Sequence, residues 1–285
     1  MGIRRAVIVV GCLALLAVGC GESSAMEMTG GGGDVNSRVE DYLTSSEFER
    51  LVLEVDATTN RGPRDSSVEW LVDKVDKVTD KPRGVNVVRD ESIPARGEDH
   101  VWTFEALQQL VRDRRNLQLG EESIKMYVLF IDGRFAADSD DRRILGVAWN
   151  RRNIAIFADA LRFACQAPLP PRLVDRLCKY AEQSVWLHEV GHLLGLVNHG
   201  APLTVDHHDE EHGPHCTNQR CVMYWMYAGP RLAEILNGNM RDSDTGPFDF
   251  GPDCLSDLEA VRSGSKKRSP SWAPDPFAGP EHPHP

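Results

Sequence analysis

The chain has no surplus of positive charge: 32 Lys and Arg against 43 Asp and Glu leave a formal net charge of −11. Nucleic acid and anionic lipid both need clustered Lys and Arg, so neither is expected as the main partner. No internal repeat is visible, which argues against solenoid and propeller architectures. The apolar stretch Ala6 to Val18 falls short of the ~20 residues that a membrane-spanning helix needs. What remains is ordinary globular material, 41% hydrophobic and 26% charged over 285 residues, enough for one sizeable domain with appendages.

The first residues read as an export signal: Arg4 and Arg5, then the apolar stretch, then Gly19-Cys20. The run Leu16-Ala17-Val18-Gly19-Cys20 resembles a bacterial lipobox, with Ala17 where Leu is commonest. On that resemblance Cys20 is acylated and becomes the mature N-terminus of an envelope- or surface-anchored lipoprotein, held by buried CH₂ groups without crossing the membrane. A plain secretory signal with an incidental Cys20 is the alternative, and the residues around the Arg pair do not support the twin-arginine route. Cys12 leaves with the signal, so Cys165, Cys178, Cys216, Cys221 and Cys254 remain for a compartment in which disulfides form. Five is odd, so at least one thiol stays free, binds metal or pairs between chains.

Residues 21–36 are small, polar and Gly-rich, a flexible tether. Folded material then begins. Arg50–Asp56, Gly84–Val88, Ile124–Ile131, Leu145–Trp149 and Ile154–Phe157 read as strands. Ser67–Val78 and Phe104–Arg115 carry apolar residues at helical spacing, the second behind the N-cap Thr103. Leu173–Val197 reads as a long helix behind Pro170 and Pro171. This order predicts an α+β fold, three-layer α/β/α-like, with helices packed on a mixed sheet. Residues 263–285 form a Pro-rich tail expected to be disordered, and no role is expected for His282 and His284 within it.

The chemistry is concentrated in His188-Glu189-Val190-Gly191-His192-Leu193-Leu194-Gly195. Residues four apart stack on one helix face, so His188 and His192 can reach one zinc ion. Glu189, beside the first histidine, can act as general base toward water that the metal activates. Gly195 lets the helix end in a left-handed turn, so the chain can swing back with a third ligand. His199, His207, His208, His212 and His215 all qualify by residue type. The carboxylate-rich run Asp206–Glu211 fits no EF-hand and is expected to be a solvated loop.

The segment His188–Gly195 resembles the metzincin clan of zinc metallopeptidases, whose pattern continues to a third histidine and a Met-turn. At the third-histidine position this chain has Asn198. His215-Cys216-x₄-Cys221-Val222-Met223 resembles the archaemetzincin branch, as does Phe250-Gly251-Pro252-Asp253-Cys254, with Gly251 in place of a cysteine. The resemblance implies a mixed twisted sheet with backing helices, an active-site helix near 173–197 and a small C-terminal subdomain near 198–262, within a peptidase domain 37–262. It implies His215 as third zinc ligand, Leu196–Pro214 as an inserted loop, and Met223 as an apolar floor under the metal. Tyr224 and Tyr227 are expected to pack, with oxyanion donation as their other role.

Archaemetzincins place a second zinc on the later cysteines. With one cysteine absent and an oxidising compartment, a Cys216–Cys221 disulfide is the expectation here, with Cys165–Cys178 as a second. A second zinc held by Cys216, Cys221, Cys254 and a histidine is the alternative. The resemblance implies a monomeric endopeptidase that binds protein or peptide substrates as an extended strand along Leu145–Trp149. A non-catalytic, zinc-braced surface lipoprotein and a hydrolase of non-protein amides are the competing readings. No cysteine ahead of the domain is placed to block the metal, so no thiol-switch latency is expected.

Overall fold

The structure, a computed structural model, describes residues 37–138, 143–166, 170–228, 232, 236 and 249–265. The signal segment with Cys20, the tether, and all but the first three residues of the tail lie outside these. None of the described helices is long and apolar enough to cross a membrane.

Five strands form one sheet in the order β2-β1-β4-β7-β6. They are β1 (Arg50–Thr58), β2 (Val85–Ile93), β4 (Ser123–Ile131), β6 (Gly146–Trp149) and β7 (Asn153–Phe157). All pairs are parallel except β6 on β7, so the sheet ends in an antiparallel strand. A separate two-residue pairing joins β3 (Val101–Trp102) to β5 (Arg134–Phe135). The central strand β4 is apolar along most of its length and buried from Met126 to Ile131, as a strand covered on both faces must be.

The crossovers decide which face each helix covers. Helix α2 (Asp65–Val78) links β1 to β2, and α3 (Phe104–Arg114) runs back from β2 toward β4. Right-handed connections that travel in opposite directions put their helices on opposite faces. Phe104 of α3 meets Trp149 of β6 edge-on at 5.8 Å, on the face opposite Gly146. The long helix α5 (Pro171–Leu193) packs on α2, β6 and β7, on the Gly146 face. The three layers expected from the element order are therefore present.

Both faces being covered explains a departure from the alternating pattern read in β1. Glu54 and Asp56, on its polar side, are fully buried rather than solvated. Glu54 accepts from the backbone N–H of Asn116 and Leu117 at 3.0 and 2.9 Å and pairs with Lys125. Asp56 accepts from the Tyr127 hydroxyl at 2.6 Å and the Glu91 N–H at 2.8 Å. Every buried carboxylate oxygen left unpaired would cost about 1–3 kcal/mol, so these partners are what permits the burial.

Shorter helices surround this frame: α1 (Val39–Leu43), α4 (Ala158–Ala164) and α6 (Pro252–Arg262), with a 3₁₀ turn at Trp225–Ala228. Helix α5 stops at Leu193, four residues earlier than the apolar pattern suggested. Leu194, Leu196 and Val197 are buried all the same, but in a turn. Arg64 ties the start of α2 to α5, donating from its backbone N–H and its guanidinium to Glu182 at 2.9 and 3.0 Å.

Candidate metal centre

The end of α5 is a Schellman turn. Leu194 caps the helix, Gly195 follows at φ +84°, and Leu196 N–H reaches back to Gly191 O at 3.1 Å while Gly195 N–H reaches His192 O at 3.0 Å. A Cβ on Gly195 would stand 2.5 Å from Val39 Cγ2 and 2.8 Å from Ala201 N, so glycine serves both the backbone angle and the close approach. The final turns of α5 are thereby closed off just beyond His192.

His188, Glu189 and His192 all lie on this buried end, each at most 2% exposed. His188 Nε2 and His192 Nε2 are 3.0 Å apart. His215 arrives from the loop side, its ring centroid 5.1 Å from that of His188 and 5.4 Å from that of His192. One ligand atom from each of the three histidines falls within 4.8 Å of the others. Two nitrogens each 2.0–2.1 Å from a tetrahedral zinc would be about 3.3 Å apart, so this spacing suits the ion. His188 Nδ1 donates to Val222 O at 2.7 Å and His215 Nδ1 to His212 O at 2.5 Å, which leaves Nε2 of each ring as the atom that could ligate a metal. Burial pushes the His188 pKa down to about 4, holding the ring in the neutral form that coordinates.

Two glycines make room here. A Cβ on Gly191 would collide with Met223 Sδ and stand 2.9 Å from Phe250 Cε1, so Met223 packs directly beneath the helix between the two histidines. A Cβ on Gly146, in the terminal strand β6, would stand 2.6 Å from Glu189 Oε1. An isolated glycine within a strand pattern is a signal of close approach, and in the sequence it went unused.

The other histidines are distributed differently. His199 is partly exposed and its ring centroid lies 5.6 Å from that of His192, on the flank of the group. His212 stacks flat on Trp225 at 4.2 Å and pairs through Nδ1 with Asp209 at 2.9 Å. His208 forms a backbone bridge with Cys216. Tyr227 is fully buried, and Tyr224 packs partly buried against the core.

No protein-family model matches the chain, and no curated protein matches it. Among solved structures it is similar to the archaemetzincin from Methanopyrus kandleri, with a TM-score of 0.45 and 17% identity, over 75% of this chain and 96% of that one.

The cysteines sort into two groups. Cys165 and Cys178 are disulfide-bonded, joining the end of α4 to α5. Cys216 and Cys221 are free, which corrects the disulfide expected between them; both are buried, as is the free Cys254. Cys221 Sγ lies 3.5 Å from Cys254 Sγ. Hydrogen bonds from Cys221 and Cys254 push the Cys216 thiol down; a hydrogen bond with Cys216 pushes Cys221 up to about 12, and hydrogen bonds with both push Cys254 upward as well. His207 joins this cluster, which corrects the solvated-loop expectation for its part of Asp206–Glu211. Hydrogen bonds to Asp257 and Cys216 push its pKa up to about 10. Asp257 lies 50 positions away, and nothing in the local pattern announces it.

Proposed function

We propose that the chain is a zinc-dependent endopeptidase of the metzincin kind, acting on protein or peptide substrates outside the cytoplasm. The observation that carries this reading is the meeting of His188, His192 and His215 within 4.8 Å, on a buried helix end that also bears Glu189. His188–Gly195 and His215–Met223 supply the motif support, with the archaemetzincin branch as the nearer likeness. His188, His192 and His215 would hold the zinc ion, which when bound would supply Lewis-acid chemistry toward water and the scissile carbonyl. Glu189 takes the proton from the attacking water and delivers it to the departing amine. Val222 O and His212 O hold the His188 and His215 rings in the ligating tautomer. Strand β6 ends the sheet beside Glu189, so an extended peptide can pair along its outer edge while its side chains select the register.

The experiment is Glu189→Gln beside wild type, with zinc content and cleavage of a broad peptide library as readouts. The variant should keep its zinc and lose about 10²–10⁴-fold in rate. Zinc-loaded wild type that cleaves nothing would favour the second reading, a zinc-braced, non-catalytic surface lipoprotein. What favours that reading is His199, placed beside His192 where a fourth ligand would close the site.

The lipobox-like run ending at Cys20 supports an anchored lipoprotein of the cell envelope. Cys20→Ser should release the protein from membranes; retention that still requires detergent would defeat the anchor.

A further inference from the structure

His215 reaches the helix histidines at the end of a long connection, and that end is fastened by residues of its own. Asn198, at the third-histidine position of the metzincin pattern, sits in a left-handed turn at φ +66°. The chain then runs on to Pro214 before the third imidazole arrives. Closing a longer loop costs more entropy, so a ligand at its end must be held locally. Residues 207–217 do this first as a narrow hairpin. Thr217 N–H donates to His207 O at 2.9 Å, His208 bridges Cys216, and Asp209 N–H donates to His215 O at 2.8 Å.

The tip of the hairpin turns on Asp209, whose side chain is only 15% exposed. Its Oδ1 accepts from Glu211 N–H at 3.2 Å and its Oδ2 from His212 Nδ1 at 2.9 Å. The ionised carboxylate can only accept, so it fixes the proton on Nδ1 of His212. The His212 ring lies flat on Trp225, with the planes 2° apart and the centroids 4.2 Å apart. Trp225 opens the 3₁₀ turn that packs on α5, shortly after Met223, which sits beneath Gly191. The His212 imidazole is therefore gripped from two sides, by its own loop and by a segment seated on the helix that bears His188 and His192. Its carbonyl is the group that accepts from His215 Nδ1 at 2.5 Å.

We infer that Asp209 and Trp225 are positioning residues for the third ligand: together they fix His212, whose carbonyl aims the His215 ring at the metal. The inference rests on the reading of His188, His192 and His215 as one metal site. Neither Asp209 nor Trp225 belongs to that group, and both act through His212. Hydrogen-bond partners of this kind orient a ligating imidazole and raise its basicity. Glu210, next in the chain and exposed, carries the same charge as Asp209 and so separates positioning from plain attraction of a cation.

The test uses the whole chain loaded with zinc or with cobalt(II), the three-histidine equivalent being the metal that His188→Ala with His192→Ala removes. Asp209→Ala should weaken that equivalent by about 10–100-fold in chelator competition and change the visible absorption of its cobalt form. Trp225→Ala should weaken it by about tenfold, and Trp225→Phe, which keeps a flat ring against His212, should restore it to within about threefold. Glu210→Ala should leave affinity and spectrum as in wild type. A merely structural Asp209 would lower unfolding stability but leave the cobalt spectrum of the folded protein unchanged, and that result would overturn the inference. So would an equal loss from Glu210→Ala, or Asp209→Ala binding as tightly as wild type. If Asp209→Ala does not fold, the tryptophan pair decides: Trp225→Ala binding no more weakly than Trp225→Phe overturns it. A wild-type chain with no histidine-bound metal would instead overturn the proposed function and this inference together.

Discussion

Gly146 of β6 faces Glu189 of α5 so closely that a methyl group on its Cα would stand 2.6 Å from Oε1, 2.8 Å from Cγ and 2.9 Å from Cδ. The whole carboxylate, not its tip alone, occupies the space that the missing side chain leaves. Glu189 is 2% exposed, so it cannot yield outward without leaving its place. Gly146→Ala should therefore displace the carboxylate proposed as general base while leaving the three histidines where they are. The expected result is a kcat lower by about a hundredfold, the cost of a misplacement near 1 Å, with zinc content and KM little changed. A variant with wild-type kcat would show that the close approach has no bearing on turnover.

The choice of third ligand can be measured apart from turnover. His215 meets both helix histidines and has its Nδ1 held by His212 O, whereas His199 stands partly exposed beside His192 alone. His215→Ala should cost the three-histidine group its tight zinc. His199→Ala should keep that zinc within about twofold, because loss of a flanking residue leaves the first-sphere donors intact. Equilibrium competition with a chelator checks both; the reverse pattern would transfer the role to His199.

Much of this arrangement could be read from the residues, for reasons of spacing. Two histidines four apart on a patterned helix must share a face, and the apolar run Ile124–Ile131 has few ways to sit other than at the centre of a sheet. Where the pattern misled, burial outlasted regularity: Leu194, Leu196 and Val197 continue the apolar rhythm of α5 but are buried in the turn that follows it. The pairings β3–β5 span two residues each, too few for any alternation to register. The His207–Asp257 contact joins a loop to a helix 50 positions on, and such a meeting leaves no local signature. Gly146 did leave one, an interrupted strand pattern.

Gly195 offers a stability test of the turn that ends the active helix. Its φ of +84° is costly for a residue with a Cβ, and that atom would also meet Val39 and the Ala201 backbone. Conformational strain alone amounts to about 1–2 kcal/mol. The backbone contact cannot be relieved by rotating a side chain, so Gly195→Ala should lose at least about 2 kcal/mol in denaturant unfolding. A loss under ~0.5 kcal/mol would mean the turn relaxes freely.

The Cys165–Cys178 bond closes a loop with a sequence separation of 13 between α4 and α5. Cross-linking a loop of this length removes about 3 kcal/mol worth of unfolded-state freedom. Cys165→Ser with Cys178→Ser should therefore lower unfolding stability by about 3 kcal/mol while zinc binding by the three-histidine group is kept, because neither cysteine lies in a candidate metal-binding group. Loss of zinc together with the bond would show that α5 depends on this link for the geometry of its far end.

Lys81 allows a prediction with pH. It is 6% exposed, and its ammonium donates to the carbonyls of Asp41 and Phe48 at 2.7 and 2.6 Å and to that of Thr44, fastening the chain around α1, whose Val39 lies against Gly195. Burial pushes its pKa down to about 8, from 10.5 in an exposed lysine. A folded-state pKa below the unfolded one means that, between those values, the unfolded chain binds more protons, so stability rises with pH through that window. Below pH 8 both states carry the charge, and this group adds no slope. The three carbonyls favour the ammonium form, so the gain stays under the roughly 3 kcal/mol that the full shift would give. Comparing wild type with Lys81→Met by denaturant unfolding cancels the other titrations. Their stability difference should be flat below pH 8 and then move in favour of wild type up to pH 10. A flat difference throughout would mean that Lys81 keeps its ordinary pKa despite its burial.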